Sequence, residues 1–254
     1  MSFFDSPKHV LIIAASGGIG YAITKQLLSK NHRLFVTTRD IHSEHASNLL
    51  QLIQTHPDQT DLFETNLSQE ASIIKLFQDI EKITAQLDVI VNCSGLLHDQ
   101  MMRPEKRLED IEQHKLERIF NINSIAPLLI ARYALPFLKN SHSNILANIS
   151  ARVGSISDNR IGGWYGYRAS KAAQNMATKT IAIELKRRNP NSIVVGLHPG
   201  TVDTDLSRPF QSNVKPEQLK TPDEAASNLI NVMANLKPED SGKVFAWDNQ
   251  EIPA

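Results

Sequence analysis

"HVLIIAASGGIGYAITKQLLSK", residues 9–30, joins an apolar run to a glycine-rich turn and then to a helical pattern. Apolar residues at successive positions are typical of a strand covered on both faces of a sheet. The glycines fall where strand turns into helix, and there the backbone must bend sharply and approach a ligand closely. The helix N-terminus that follows offers unpaired N–H groups to a phosphate. The stretch therefore predicts a strand–turn–helix unit that binds a dinucleotide, with a simple tight turn as the alternative.

The same alternation of short apolar runs and longer helical patterns continues along the chain. The predicted strands are 9–15, 33–38, 61–66, 87–94, 143–150, 192–199 and 243–247. The predicted helices lie near 18–30, 43–55, 68–84, 104–139, 164–189 and 223–236. Strands separated by helices imply right-handed crossovers and a parallel sheet. With no linker or repeat between them, residues 1–254 are predicted to form one α/β domain with a doubly wound parallel sheet.

Composition narrows the class of protein. The 254 residues include 27 Lys and Arg and 27 Asp and Glu, so the net charge gives no electrostatic reason to expect nucleic acid or an anionic membrane as a partner. No basic leader and no apolar run of about 20 residues is present, which favours a cytoplasmic protein. Cys93 is the single cysteine, so an internal disulfide and a cysteine-based zinc site are excluded. We expect no metal.

The end of the second predicted strand bears on the choice of dinucleotide. An acidic residue at this place holds the ribose 2′-hydroxyl of NAD, whereas an arginine nearby favours the 2′-phosphate of NADP. The strand ends with Thr37 and Thr38, and Arg39 follows directly. Asp40 comes one residue later and reads as a helix-entry residue. We therefore expect NADP, with NAD as the alternative and a merely solvent-exposed charge as the other interpretation of Arg39.

A tyrosine and a lysine stand four residues apart in "YRASK", residues 167–171. This spacing puts both side chains on one face of a helix. A phenol with a pKa of about 10 is a poor acid–base group at neutral pH, and a neighbouring ammonium brings that pKa towards the working range. Tyr167 could then pass a proton to a carbonyl oxygen as hydride arrives from a nicotinamide. A chance surface pair is the alternative; Tyr165 has only Ala169 at this spacing.

Several motifs occur in a characteristic order. They are "AASGGIG" (14–20), "NCSG" (92–95), "NINS" (121–124), "NIS" (148–150), "YRASK" (167–171) and "HPGTVDT" (198–204). With these motifs the chain resembles the short-chain dehydrogenase/reductase family over nearly its whole length, and residues 154–173 resemble its C-factor-like or sniffer-like carbonyl reductase branch. The resemblance implies a seven-stranded Rossmann sheet and a homodimer or homotetramer formed through the long crossover helices.

The resemblance also implies roles for single residues. Tyr167 would be the acid–base residue, Lys171 would lower its pKa and bind the nicotinamide ribose, and Asn123 would hold a water of a proton relay. The residues implied to bind the cofactor are Ala14, Ser16, Gly17, Gly18, Ile19, Gly20, Arg39, Asn66, Leu67, Asn92, Cys93, Ser94, Gly95, Tyr167, Lys171, Pro199, Gly200, Val202 and Thr204.

Two departures concern the cofactor. Ala14 stands where the family has the first glycine of the phosphate turn, so we expect a negative φ there or a small shift of the turn. Asn66 stands where an aspartate usually contacts adenine, and its amide offers both an acceptor and a donor.

A third departure concerns the substrate. The family's substrate-orienting serine lies three residues before a glycine, and the residue three before Gly154 is Ala151. Ser150 would serve only if the strand has ended or bulges, because a one-residue offset points a side chain to the other face. Ser155 is a second candidate. Ser150 is kept as the catalytic candidate, and loss of the donor would cost about 100-fold in rate.

These features predict an NADP-dependent oxidoreductase acting on a carbonyl/alcohol pair. The substrate face is expected from residues 96–110 and 203–220, the second a mobile lid. Apolar side chains there suggest an apolar or aromatic carbonyl: Leu96, Leu97, Met101, Met102 and Phe210. A non-catalytic dinucleotide-binding redox sensor or signalling protein is the alternative, motivated by Ala151, and a structural Rossmann scaffold is a third.

Overall fold

The computed structural model describes residues 3–139 and 142–253. The strands are β1 (His9–Ile13), β2 (Arg33–Thr38), β3 (Thr60–Glu64), β4 (Val89–Asn92), β5 (Asn144–Ile149), β6 (Ser192–His198), β7 (Thr201–Val202), β8 (Leu219–Lys220) and β9 (Val244–Ala246). The α-helices are α1 (Gly18–Leu28), α2 (Ser47–Gln54), α3 (Glu70–Glu81), α4 (Gln113–Phe120), α5 (Ala126–Leu138), α6 (Tyr165–Arg188) and α7 (Pro222–Asn235). Seven strands form one parallel sheet in the order β3-β2-β1-β4-β5-β6-β9, which confirms the predicted doubly wound architecture.

Helices cover both faces of the sheet, as the uninterrupted apolar strands predict. Along β1, Val10 and Ile12 face a core built with α1 and α7, whereas Leu11 and Ile13 face a second core built with α3, α5 and α6. The two cores bury nearly every strand residue, so α6, with the Tyr–Lys pair, is fixed against the second face.

The single helix predicted over 104–139 is wrong. Residues 108–110 form a short 3-10 turn, α4 follows, and residues 121–125 form a π-helix before α5. The N–H of Ala126 bonds to the carbonyl of Asn121, five residues back. Pro127 has no N–H to give to residue 123, so the regular ladder cannot continue through this point.

One face of α6 carries small or apolar residues and lies largely at the surface. Its residues are Ala169, Ala172, Ala173, Met176, Ala177 and Thr180. Met176 is 67% exposed, Ala169 and Thr180 are exposed, Ala172 and Ala173 are half-buried, and of these six residues only Ala177 is buried, so the face does not pack into the core. The buried side of α6 is polar instead, with Tyr167, Ser170, Lys171, Gln174 and Thr178.

A second, two-stranded sheet joins the ends of one long connection. Thr201 pairs with Leu219 and Val202 with Lys220, which brings together the two ends of the segment 203–218. Within residues 3–139 and 142–253, no helix is both long and apolar enough to cross a membrane.

Candidate active site

The carboxyl ends of the parallel strands meet at one edge of the sheet, and the strand order reverses there between β1 and β4. Ligands of open α/β sheets bind at such a crevice. The turn after β1 leads into α1, whose N-terminus has no side-chain cap and no acidic residue in its first turn. Gly17 and Gly18 are exposed. A Cβ at Gly20 would lie 2.5 Å from the carbonyl oxygen of Ala14, so only glycine fits this turn. The exposed N–H groups suit a phosphate.

Ala14 has φ +60°, in the left-handed region. The expected negative φ is therefore wrong. The turn is fixed on both sides, because the Ala14 N–H donates to Thr37 Oγ1 (3.1 Å) and the Ala14 carbonyl accepts from the N–H of Gly17 (3.2 Å). The backbone thus keeps the conformation that glycine adopts easily, and the methyl group of Ala14 makes this conformation strained.

β2 ends beside a short polar cluster and an exposed arginine. Thr38 is buried and its hydroxyl donates to Ser16 Oγ (2.9 Å), so the two side chains next to the phosphate turn bind each other. Arg39 is exposed and makes no ion pair or side-chain hydrogen bond with any described residue. Asn66 uses its amide oxygen within its own loop, accepting from the N–H (3.1 Å) and the hydroxyl (2.8 Å) of Ser68. The expected acceptor for adenine is thus already engaged. Leu67 beside it is buried.

Tyr167 and Lys171 lie in the first two turns of α6, and both are buried, with 7% and 2% of their surfaces exposed. The Lys171 Nζ atom lies 5.9 Å from the centre of the Tyr167 ring. Nζ donates to the carbonyl of Ile149 (2.7 Å) and to Gln174 Oε1 (3.0 Å).

Burial sets the protonation of this pair. It raises the pKa of Tyr167 to about 12 and lowers the pKa of Lys171 to about 7. The pKa of Tyr167 thus moves in the opposite direction to the one expected from the neighbouring ammonium. An apolar environment disfavours both charged forms, and this outweighs their mutual attraction. Tyr167 keeps its proton at neutral pH.

The segment after β5 packs tightly on α6. A Cβ at Gly154 would lie 2.8 Å from the Cβ of Lys171, so glycine is required where this short 3-10 turn crosses the helix. Ala151 precedes the turn in extended conformation and has no hydroxyl.

The hydroxyl of Ser150 is engaged with α6. Its hydroxyl donates to Asn175 Oδ1 (2.6 Å), and Asn175 lies about two helical turns beyond Tyr167. β5 ends at Ile149, one residue before Ser150, and the Ser150 side chain faces α6. This contact argues against a role for Ser150 in orienting the substrate, and the role stays a prediction. Ser155 is buried, and its Oγ accepts from the N–H of Asp158 (3.2 Å).

Asn123 connects three elements. In the π-helix its Oδ1 accepts from the N–H of Leu96 (2.8 Å), while its Nδ2 donates to the Leu96 carbonyl (2.8 Å) and to Ser170 Oγ (3.0 Å). This pins the chain after β4 against α6. A Cβ at Gly95 would lie 3.9 Å from the Lys171 Nζ.

The other residues after β4 are turned inward. Asn92 is fully buried, where its Nδ2 donates to Asn148 Oδ1 (3.1 Å) and its Oδ1 accepts from the Ser94 hydroxyl (2.6 Å). Burial raises the pKa of the Cys93 thiol to about 12, which disfavours the thiolate at neutral pH.

Glu105 was missed by the sequence interpretation. Only 2% of its surface is exposed; its Oε2 accepts from the N–H of Gly166 (3.1 Å), and its carbonyl accepts from the N–H of Trp164 (2.6 Å). It therefore caps the helix that begins with Tyr165, while Trp164 takes the left-handed φ of +52°. Sequence spacing gave no signal for this contact, because Glu105 and Gly166 are 61 positions apart in the sequence.

Aromatic rings from three segments meet beside Tyr167. The Trp164 ring centre lies 4.9 Å from that of Phe210 and 6.2 Å from that of Tyr167, and Phe210 lies 5.4 Å from the ring of His98. The segments 96–110 and 203–220 therefore meet at this end of α6. Among the described residues, no group of three or more side chains could hold a metal ion.

Known proteins are similar to this chain in sequence and in fold. The family model for short chain dehydrogenases matches residues 8–215. C-signal of Myxococcus xanthus is 32% identical over 170 residues, which cover 67% of this chain and 94% of that protein. The NADPH-bound carbonyl reductase from chicken fatty liver is 26% identical, covering 98% of this chain and 99% of that one, with a TM-score of 0.87. Carbonyl reductase Sniffer of D. melanogaster is also 26% identical, with 98% and 100% coverage and a TM-score of 0.85. Fold, motifs and relatives agree, and the chain belongs to the short chain dehydrogenase family of NAD(P)-dependent oxidoreductases.

Proposed function

We propose that this chain is an NADPH-dependent reductase of carbonyl compounds in which Tyr167 is the proton donor. The observation that carries the proposal is the buried Tyr167, which holds its proton at neutral pH one helical turn from Lys171. The fold similarity to two carbonyl reductases, one of them with NADPH bound, supports the choice of substrate class and cofactor.

The residues at the sheet edge fit a dinucleotide. The N-terminus of α1, which has no side-chain cap, would hold the pyrophosphate, and the exposed Arg39 would hold the 2′-phosphate. A Cβ at Gly18 would lie 2.7 Å from the Cγ2 of Thr204, so the 199–204 segment reaches across to the phosphate turn. Bound NADPH supplies hydride to the carbonyl carbon.

Protein groups then complete the reduction. The Tyr167 hydroxyl donates a hydrogen bond, and finally its proton, to the carbonyl oxygen. The Lys171 ammonium stabilises the phenolate that forms. Ala151 offers no second donor, so Tyr167 holds the oxygen alone and the reaction loses one preorganised hydrogen bond. Trp164 and Phe210 shield the site from water, which strengthens these interactions.

The first test follows the loss of NADPH absorbance with aldehydes, diketones and quinones. Wild type is compared with Tyr167→Phe, and with Tyr165→Phe as a matched control, since Tyr165 is 37% exposed and two residues away. We expect turnover in wild type and in the control and none in Tyr167→Phe, with NADPH binding intact in all three. Equal turnover in Tyr167→Phe would refute the assigned role.

Arg39 tests the cofactor preference. We expect Arg39→Ala to weaken NADPH binding at least about tenfold, equivalent to about 1.4 kcal/mol, and to leave NADH binding unchanged. An equal change for both cofactors in a fluorescence titration would contradict the assignment of Arg39 to the 2′-phosphate.

Ala151 favours a second candidate function, a dinucleotide-binding redox sensor or signalling protein. In that case NADPH binds tightly, no compound class is turned over, and Tyr167→Phe keeps the biological effect. Restoring the hydroxyl with Ala151→Ser separates the candidates, because we expect it to raise the turnover of a reductase by about 100-fold at most.

We also propose that the chain forms a homo-oligomer through α5 and α6. Ile125 at the end of the π-helix, Leu128 on α5, and Met176 and Ile183 on α6 are each 46–67% exposed. Unpartnered apolar side chains on two adjacent helices favour burial against a second copy. Size-exclusion chromatography with light scattering should show an oligomer, and Met176→Glu should dissociate it; a monomeric wild type would refute the proposal.

A further inference from the structure

We propose that Gln174 is a positioning residue: its amide oxygen fixes the Lys171 ammonium beside Tyr167 and sustains its charge for proton transfer. The inference rests on the proposed reductase function and deepens it, by naming what stabilises the charge of a lysine that has no ionic partner.

The geometry leaves the amide one orientation. Gln174 lies three residues beyond Lys171 on the same face of α6, is 1% exposed, and its Oε1 lies 3.0 Å from Nζ. Turning the amide over would direct its NH₂ group at an ammonium, donor against donor. In the observed orientation the Gln174 Nε2 is buried without a hydrogen-bond partner among the described residues. An apolar side chain would fill this position without an unsatisfied donor, so the amide contributes through its oxygen.

Lys171 depends on neutral acceptors. Within residues 3–139 and 142–253 it forms no ion pair, and its two hydrogen-bond acceptors there are Gln174 Oε1 and the carbonyl of Ile149. An ammonium has three donors, so one remains for a ligand or for the tyrosine oxygen. A hydrogen bond that is made to the charged form favours that form. Because burial alone lowers the pKa of Lys171 to about 7, each acceptor decides how much ammonium persists at neutral pH.

The surrounding groups leave Lys171 as the group that changes charge near neutrality. Burial holds the pKa of Cys93 and Tyr167 at about 12 and that of His198 at about 4. The charged side chains of α4 and α5 are half-buried or exposed. Further titratable or charged groups around Lys171 include Cys93 after β4, Glu105 at the helix start, Arg152 on the 3-10 turn, His198 on β6 and Tyr167 on α6 itself. The other charged groups of α6 are Arg168, Lys179, Glu184, Lys186, Arg187 and Arg188, and all of them are half-buried or exposed.

Two substitutions of opposite sign test the inference. Gln174→Leu removes the acceptor at similar volume, and Gln174→Glu puts a carboxylate at the same atom. We expect the titration midpoint of Lys171 to fall by about one pH unit in the leucine variant and to rise by at least as much in the glutamate variant. The readout is the NMR shift of labelled lysine Cε, assigned by the signal that Lys171→Met lacks. This measurement needs no substrate.

Turnover gives a second readout. Since the proposed reduction uses the ammonium, NADPH oxidation should decline with rising pH at a lower midpoint in Gln174→Leu and a higher one in Gln174→Glu. Thr178→Val is the matched control, because Thr178 is equally buried on α6 and its hydroxyl has no hydrogen-bond partner among the described residues, so both midpoints should stay at the wild-type value. Gln174→Met replaces the leucine variant if that chain does not fold.

The outcomes separate the two proposals. Unchanged NMR midpoints, or shifts of equal sign in both variants, would overturn the role of Gln174, since a loosened core moves both the same way. Opposite NMR shifts without turnover of any carbonyl compound would uphold the contact and overturn the reductase function.

Discussion

Replacing Ala14 with glycine is expected to stabilise the fold. Ala14 has φ +60°, and a left-handed backbone costs an L-residue about 1–2 kcal/mol. Glycine has more freedom in the unfolded chain, which costs about 0.4–1 kcal/mol. The difference is a gain of about 0.5–1 kcal/mol, or a rise in Tm of about 2 °C for a chain of this length. Urea denaturation followed by tryptophan fluorescence measures it.

Ala15 provides the opposite control. It is fully buried and does not have a positive φ, so Ala15→Gly removes a packed methyl group without relieving strain. We expect it to destabilise the fold by about 1 kcal/mol. Ala14→Val should also destabilise it, because a β-branched residue tolerates the left-handed region poorly. A loss of stability in Ala14→Gly would refute the argument, since the methyl group would then contribute more by contact than it costs in strain.

Three further predictions concern buried polar groups. Glu105→Ala leaves the N–H of Gly166 unsatisfied and should cost about 1–3 kcal/mol in urea denaturation, against less than about 0.5 for the exposed Glu109→Ala; equal costs would contradict the cap. Burial lowers the pKa of His198 from 6.5 to about 4, so on acidification the unfolded chain binds the proton before the folded chain does. The free energy of unfolding should therefore decrease by about 3 kcal/mol as the pH is lowered from 6.5 to 4, and His198→Gln should abolish this decrease. Ser150→Ala should cost about 1 kcal/mol of stability through the lost bond to Asn175 yet change kcat less than about threefold; a drop of about 100-fold would reinstate Ser150 as the substrate-orienting residue.

Local patterns predicted the framework of the molecule. Apolar runs gave all seven strands of the main sheet to within a few residues, because strands covered on both faces are apolar at every position. Spacing alone brought Tyr167 and Lys171 to one helix face. The glycines of the first turn were predicted for the same reason, since their position between strand and helix is local information.

What escaped prediction depends on contacts distant in sequence. The partner of Glu105 lies 61 residues away, and Ser150 meets Asn175 across 25. The π-helix around Asn123 follows from Pro127 together with the packing of α5, which no periodicity shows. The pKa of Tyr167 was misjudged because the spacing reveals a neighbouring lysine and not the depth of burial.

The pairing of β7 with β8 has a consequence for how this protein could change over evolution. Because Thr201 pairs with Leu219, the segment 203–218 leaves the domain and returns to it at neighbouring positions. Doubling the length of such a loop costs only about 0.6 kcal/mol in closure entropy. The stretch that carries Phe210 can therefore be lengthened, shortened or grafted from a relative without disturbing the strands beneath it. The sequence of this segment can thus vary independently of α6, which carries Tyr167 and Lys171.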